Sequence, residues 1–160
     1  TRSTTSALVL TAVLIALATL FTMYTKIPVP GIRGYFNVGD VVIMTSALLL
    51  GRKYGAYIGA IGPALADLFL GYAVFVPITL VVKGIEGYLV GTVYNNKTTT
   101  SALVATIVGG IVIVAGYFIA EYFVFDPGVA IASILTNTIQ AVMSVIISMI
   151  LYAILRKRLG

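Results

Sequence analysis

The sequence predicts an all-α fold: a polytopic membrane protein, one domain over residues 1–160, folded as a bundle of six transmembrane helices with both termini cytoplasmic. Three observations predict it. First, 60% of the residues are hydrophobic and only 9% are charged, with a mean hydropathy of +1.10. Soluble domains carry about 25% charge, so this chain cannot build an ordinary water-facing surface. Second, apolar stretches recur along the chain, separated by Pro, Gly or polar clusters, and a crossing needs about 20 residues. Third, the Lys and Arg residues fall unevenly between alternate loops.

The first span covers 6–24. Its apolar start runs on through Met23 without a clear cleavage site, and further spans follow, so it reads as a crossing rather than a signal peptide. KIPVPGIRGYFN comes next, where Pro28, Pro30, Gly31 and Gly34 forbid a continuous helix. The second span covers 38–50 and GRKYG is a turn. The third covers 56–70 and is rich in Gly and Ala. Both are short for an upright crossing of about 30 Å at ~1.5 Å per residue, so they tilt, extend into their turns, or stop short of a face. GYAVF leads to the fourth span, 76–94, with Pro77 in its first turn, where a missing N–H does no harm. NNKTTT is polar and precedes the fifth span, 101–122. FVFDPG breaks the chain before the sixth, 129–155, and RKR closes it.

Six spans put both termini on one side. That side holds Arg2, Arg52, Lys53, Lys97, Arg156, Lys157 and Arg158, and the other only Lys26 and Arg33. Excess Lys and Arg marks the cytoplasmic face. The Pro/Gly loop, GYAVF and FVFDPG then face outward. There is no cysteine, hence no disulfide or thiol chemistry, and no histidine, the commonest metal ligand and general base. No metal site and no catalytic set is expected. No GxxxxGK[ST] motif is present, so ATP would be used only by a partner.

Charged residues inside membrane segments point to function by default. Here they are Asp67, Lys83, Glu86 and Glu121, with Asp40 at a border. Lys83 lies roughly 10 Å in from the outer face and Glu86 one turn deeper; Asn137 and Gln140 lie roughly 12–17 Å in. Asp67, Tyr117 and Glu121 sit near outer helix ends. Four helices thus place polar groups in the outer half, where they can line one pocket. Each has a plainer reading. Lys83 and Glu86 share a face at i, i+3 and can pair with each other. Asn137 and Gln140, also at i, i+3, can join helices. Glu121 can belong to a headgroup belt with Tyr117 and Tyr122. Asp40 fits a structural role, since a carboxylate in a first helical turn suits the dipole. Asn37 either caps that helix or turns its amide to the pocket. The loop GIRGYFN brings Tyr35 and Phe36 beside Asn37, as a lid that stacks a flat ring or as an interfacial anchor. Ala12 and Ala16 have the small-xxx-small spacing that admits a close partner helix.

The stretches TAVLIALATL, GYFNVGDVVIMTSALLLGRKYGAYIGAIGPALADLFLGY, VVKGIEGYLVG and GYFIAEYF together resemble the S component of an energy-coupling factor (ECF) vitamin transporter. The similarity covers nearly the whole chain, and NVGD followed by LLLGRKYGA is its most specific part. The resemblance implies a six-helix subunit in a prokaryotic plasma membrane. It would capture a vitamin from outside and join a transmembrane coupling protein and two ABC-type ATPases. It implies no cofactor and no nucleic acid partner. It implies that Ala12 and Ala16 face the coupling protein, that the loop after the first helix closes over the ligand, and that the subunit topples to deliver its cargo. Lys83 would contact ligand and Glu86 would orient Lys83. KGIEG and GYFIAEYF look most like the branch for hydroxymethylpyrimidine or pyridoxine-type ligands, with riboflavin as the alternative. The expected ligand contacts are Tyr35, Asn37, Asp67, Lys83, Glu86, Tyr117, Glu121, Asn137 and Gln140. Three rivals remain open: a stand-alone ion-coupled transporter, a membrane enzyme, and a purely structural subunit.

Overall fold

The computed structural model describes residues 4–28, 35–94 and 98–159. Six helices carry the fold: α1 (Thr4–Tyr24), α2 (Asp40–Leu50), α3 (Arg52–Phe69), α4 (Phe75–Val93), α5 (Thr99–Val124) and α6 (Pro127–Leu159). Between α1 and α2 lies an antiparallel pair of short strands, β1 (Ile27–Pro28) and β2 (Tyr35–Phe36). The sequence reading excluded helix here but did not foresee the pairing. The residues that link the strands, 29–34, lie outside the described residues, as do Arg2 and Lys97.

Among the described residues four helices, α1, α4, α5 and α6, are long and apolar enough to cross a membrane. Large apolar side chains stand exposed around them, among them Val13, Val81, Ile111 and Ile146. A soluble protein would bury such a girdle, and a lipid-facing one has no reason to. The 11-residue α2 spans only about 16 Å.

The expected five-residue turn GRKYG is a correction. Only Gly51 is non-helical there, and α3 restarts at Arg52. Gly51 closes α2 with φ of 92°, a left-handed conformation that costs other residues energy. One residue therefore reverses the chain, and α2 packs tightly back along α3.

The α3–α4 contact is backbone on backbone. A β-carbon at Gly59 would overlap the Lys83 carbonyl, one at Gly87 would overlap that of Gly55, and one at Gly91 would overlap the Arg52 backbone. Gly55 and Gly59 form a true small-xxx-small pair, as do Gly87 and Gly91, so the closest helix contact uses these rather than Ala12 and Ala16. The two alanines lie exposed on the outside of α1.

The apolar core lies toward one end of the bundle, built on Met44, Leu48, Val90, Ala105, Ile113 and Tyr152. At that end Tyr94 and Tyr152 share a hydroxyl hydrogen bond of 2.6 Å. Arg52 sits over Tyr88, and Arg156 over Tyr152. Lys26 lies at the opposite end, over Tyr72. Arg52 and Arg156 thus lie at one end of the bundle and Lys26 at the other.

Candidate binding cavity

The polar residues converge beneath the strand pair. The chain enters α2 through a turn in which Asn37 Oδ1 accepts from Gly39 N at 2.8 Å. Asn37 lies two residues ahead of the helix-flanking Gly39, so it forms this turn rather than the cap itself. Gly39 must be small, because a β-carbon there would overlap the Thr22 hydroxyl. Asp40, the first residue of α2, is thereby placed in the centre of the bundle and is fully buried.

Asp40 organises the site. Its Oδ1 receives the Lys83 ammonium from α4. Its Oδ2 accepts from Gln140 Nε2 of α6 at 2.7 Å. Gln140 Oε1 in turn accepts from the backbone N–H of Asn37 at 3.0 Å. Glu86 Oε2 stands 3.9 Å from Lys83 Nζ, and neither Glu86 oxygen has a hydrogen bond among the described residues. The i, i+3 pairing read from the sequence is thus the lesser contact, and Asp40 rather than Glu86 is the main partner of Lys83. The reason is geometric: α2 begins at the level of Lys83, one turn from Glu86. Helix-dipole stabilisation alone would not have buried Asp40 so deeply. A buried ammonium requires a directly bonded carboxylate to offset its desolvation.

Above this network lies a cavity lined by Asn37, Asp67, Lys83, Tyr117, Glu121, Asn137 and Gln140. Seven of the nine expected contacts therefore share one space. Glu86 does not line it and sits behind Lys83. The Tyr35 side chain lies outside the described residues, so the lid expected to stack a ring does too. The cavity is small, about 40 Å³.

Six further residues complete the wall, Pro63 and Thr136 among them. Thr79 shares a 2.9 Å hydrogen bond with the Tyr117 hydroxyl, and the Lys83 ammonium lies 5.5 Å from the Tyr117 ring centroid. Ser133 donates to Glu121, which is buried rather than in an exposed belt. Thr22 and Phe75 also line the space. Single Thr and Ser residues in apolar helices are easy to overlook. The signal was present, however: Ser133, Asn137 and Gln140 follow i, i+4, i+7 on one face, and Thr79 precedes Lys83 by one turn. Asn137 Nδ2 is buried without a partner among the described residues. An unsatisfied buried donor is costly, so this amide is ready for an acceptor. No group of three or more acidic, His or Cys side chains that could hold a metal occurs among the described residues.

Residues 2–157 match the family model described as ECF-type riboflavin transporter, S component. An uncharacterized protein of Pyrococcus woesei is 43% identical over 145 residues, covering 89% of this chain and 96% of that protein. The thiamine precursor transporter HmpT of Lactococcus lactis subsp. cremoris is 29% identical over 148 residues, covering 92% of this chain and 83% of that one. A solved structure described as the S component of a bacterial ECF transporter superposes with a TM-score of 0.76, at 20% identity and with 99% of both chains covered. At that identity the last match establishes the fold alone.

Proposed function

Since the chain belongs to the family of ECF-type riboflavin transporter S components, the substrate-binding membrane subunits of vitamin transporters, we propose that it captures a single-ring heteroaromatic vitamin or precursor. A B6 vitamer such as pyridoxine, or hydroxymethylpyrimidine, fits best. The observation that carries this reading is the cavity itself. It is walled in part by the rings of Tyr117 and Phe75, with hydroxyl, amide and carboxylate groups spaced around it. Such a wall matches a small ring bearing hydroxymethyl and amino groups. Riboflavin, named in the family description, has three fused rings and a ribityl tail and would require the walls to move much further apart. The likeness to a thiamine precursor transporter supports the smaller ligand.

The proposal includes six crossings, with α2 and α3 completing the count as a tight hairpin pair. The end bearing Arg52, Lys53, Arg156 and Lys157 faces the cytoplasm and the cavity opens outward. The membrane is the plasma membrane of a prokaryote. S components work with an energizing module. Here that module comprises a transmembrane coupling protein and two ABC-type ATPases, with exposed Ala12 and Ala16 of α1 as the docking face. Asp67, Lys83, Tyr117, Glu121, Asn137 and the Asn37 side chain are the proposed ligand contacts.

Purification in detergent from cells grown in rich medium, extraction, and mass spectrometry of bound small molecules tests the reading. A stoichiometric B6 vitamer or pyrimidine supports it. Stoichiometric flavin replaces it with the riboflavin alternative. An empty protein that none of pyridoxine, hydroxymethylpyrimidine or riboflavin stabilises against heat refutes it. Uptake that persists without any ATPase partner favours a stand-alone ion-coupled transporter instead.

A further inference from the structure

Gln140 lines the cavity, yet both polar ends of its side chain are already engaged. Oε1 accepts from Asn37 N, at the root of the strand pair, and Nε2 donates to Asp40. Asp40 in turn holds Lys83, whose side chain forms part of the cavity wall. The next amide along, Val38 N, donates to Thr25 Oγ1 just past the end of α1, at 3.0 Å. Two consecutive backbone amides thus fasten the root of the strand pair, one to α6 and one beside α1. The pair itself is only two residues per strand, too short to hold its own position. Its placement is set at the root.

We infer that Gln140 and Asp40 are positioning residues that join the root of the strand pair to the cavity wall, so that seating the β1–β2 segment and placing Lys83 are a single event. The inference rests on the ligand-capture reading for its use, though not for its geometry. One amide reports to both sides. If the root lifts, Gln140 loses the acceptor contact that orients its Nε2 toward Asp40. If Asp40 shifts, Gln140 loses the anchor that aims Oε1 at Asn37. Glu86, 3.9 Å from Lys83, offers the ammonium a second acceptor when Asp40 is altered.

Hydrogen exchange of the Asn37 amide in the unliganded protein tests the joint, with amides in the middle of α5 as the reference for global stability. Gln140→Met removes the acceptor and should speed Asn37 exchange roughly tenfold relative to the reference. Asp40→Asn, which touches Asn37 nowhere, should still speed it roughly fivefold, because its single amide oxygen cannot accept from both Lys83 and Gln140 and its NH2 then opposes a donor. The double variant D40N/Q140E reverses donor and acceptor between the two residues while keeping every bond, and should return exchange to within about twofold of wild type. Exchange unchanged in Gln140→Met or in Asp40→Asn overturns the inference.

With pyridoxine and hydroxymethylpyrimidine as probes, dissociation should accelerate by the same factors and recover in the double variant. Affinity lost in Gln140→Met and not recovered in D40N/Q140E would make Gln140 a direct ligand contact and overturn its positioning role. If neither probe binds wild type while Asn37 exchange follows the predicted order, the joint stands and the ligand reading falls.

Discussion

Replacing Lys83 with methionine removes the one cation that the described residues place at the centre of the bundle, and little of its volume. Asp40 then keeps a single bond, from Gln140, and Glu86 loses its neighbouring ammonium. Both carboxylates are fully buried. Breaking a buried pair by deleting one partner costs about 3–5 kcal/mol, because the surviving charge is stranded in low dielectric. The stranded Asp40 carboxylate places this variant within that range, at about 3–5 kcal/mol. For a chain of this size that corresponds to a melting temperature lower by about 10–20 °C. Substituting all three members, as Asp40→Asn, Lys83→Met and Glu86→Gln, removes the stranded charges and should recover more than half of the loss. Thermal unfolding in a single detergent, followed by circular dichroism, measures both. A Lys83→Met protein within about 1 kcal/mol of wild type would refute the reasoning, since it would mean that the ammonium does not compensate these carboxylates.

Other outcomes follow from the same structure. Asn137→Leu removes a buried donor that has no partner among the described residues. It should leave the melting temperature unchanged or higher while ligand affinity, by isothermal titration, falls roughly tenfold or more. Gly59→Val drives a side chain into the Lys83 carbonyl; a loss of about 1–3 kcal/mol is expected, with weaker ligand binding as α4 is displaced. Gly51→Ala imposes a left-handed φ on alanine in open space. It should cost about 1 kcal/mol without changing affinity. Ala16→Trp, on the exposed face of α1, should leave ligand binding intact and abolish co-purification with the energizing module.

Much of this protein was legible in its sequence. The helices at 6–24, 76–94, 101–122 and 129–155 emerged within a few residues because long apolar runs bounded by Pro, Gly or polar clusters leave little choice in lipid. The convergence of Asp67, Lys83, Glu121, Asn137 and Gln140 was readable because charged and amide groups are conspicuous in such helices. The Asp40–Lys83 bond was not. The two residues are 43 positions apart and come together only through the tight α2–α3 reversal at Gly51. The small-residue signal at Ala12 and Ala16 was seen while the stronger one at Gly55, Gly59, Gly87 and Gly91 was not. A spacing motif does not tell which helix it faces, so an inward seam and an outward face look alike. Ser133 and Thr79 were missed because a hydroxyl contributes little to hydropathy and is informative only when its neighbours along the helix face are counted.

The glycine seam between α3 and α4 also bears on how such a protein can change its cargo. Where two helices touch through main-chain atoms, the fit is set by parts every residue shares. Thr79 stands on α4 beside that seam, and its side chain is not what holds α4 in place. A change of recognition chemistry at such positions leaves the helix axis where it was. The scaffold and the recognition surface are thus separable inheritances. One can be kept for structural economy while the other is revised, one pocket-facing residue at a time, toward a different vitamin.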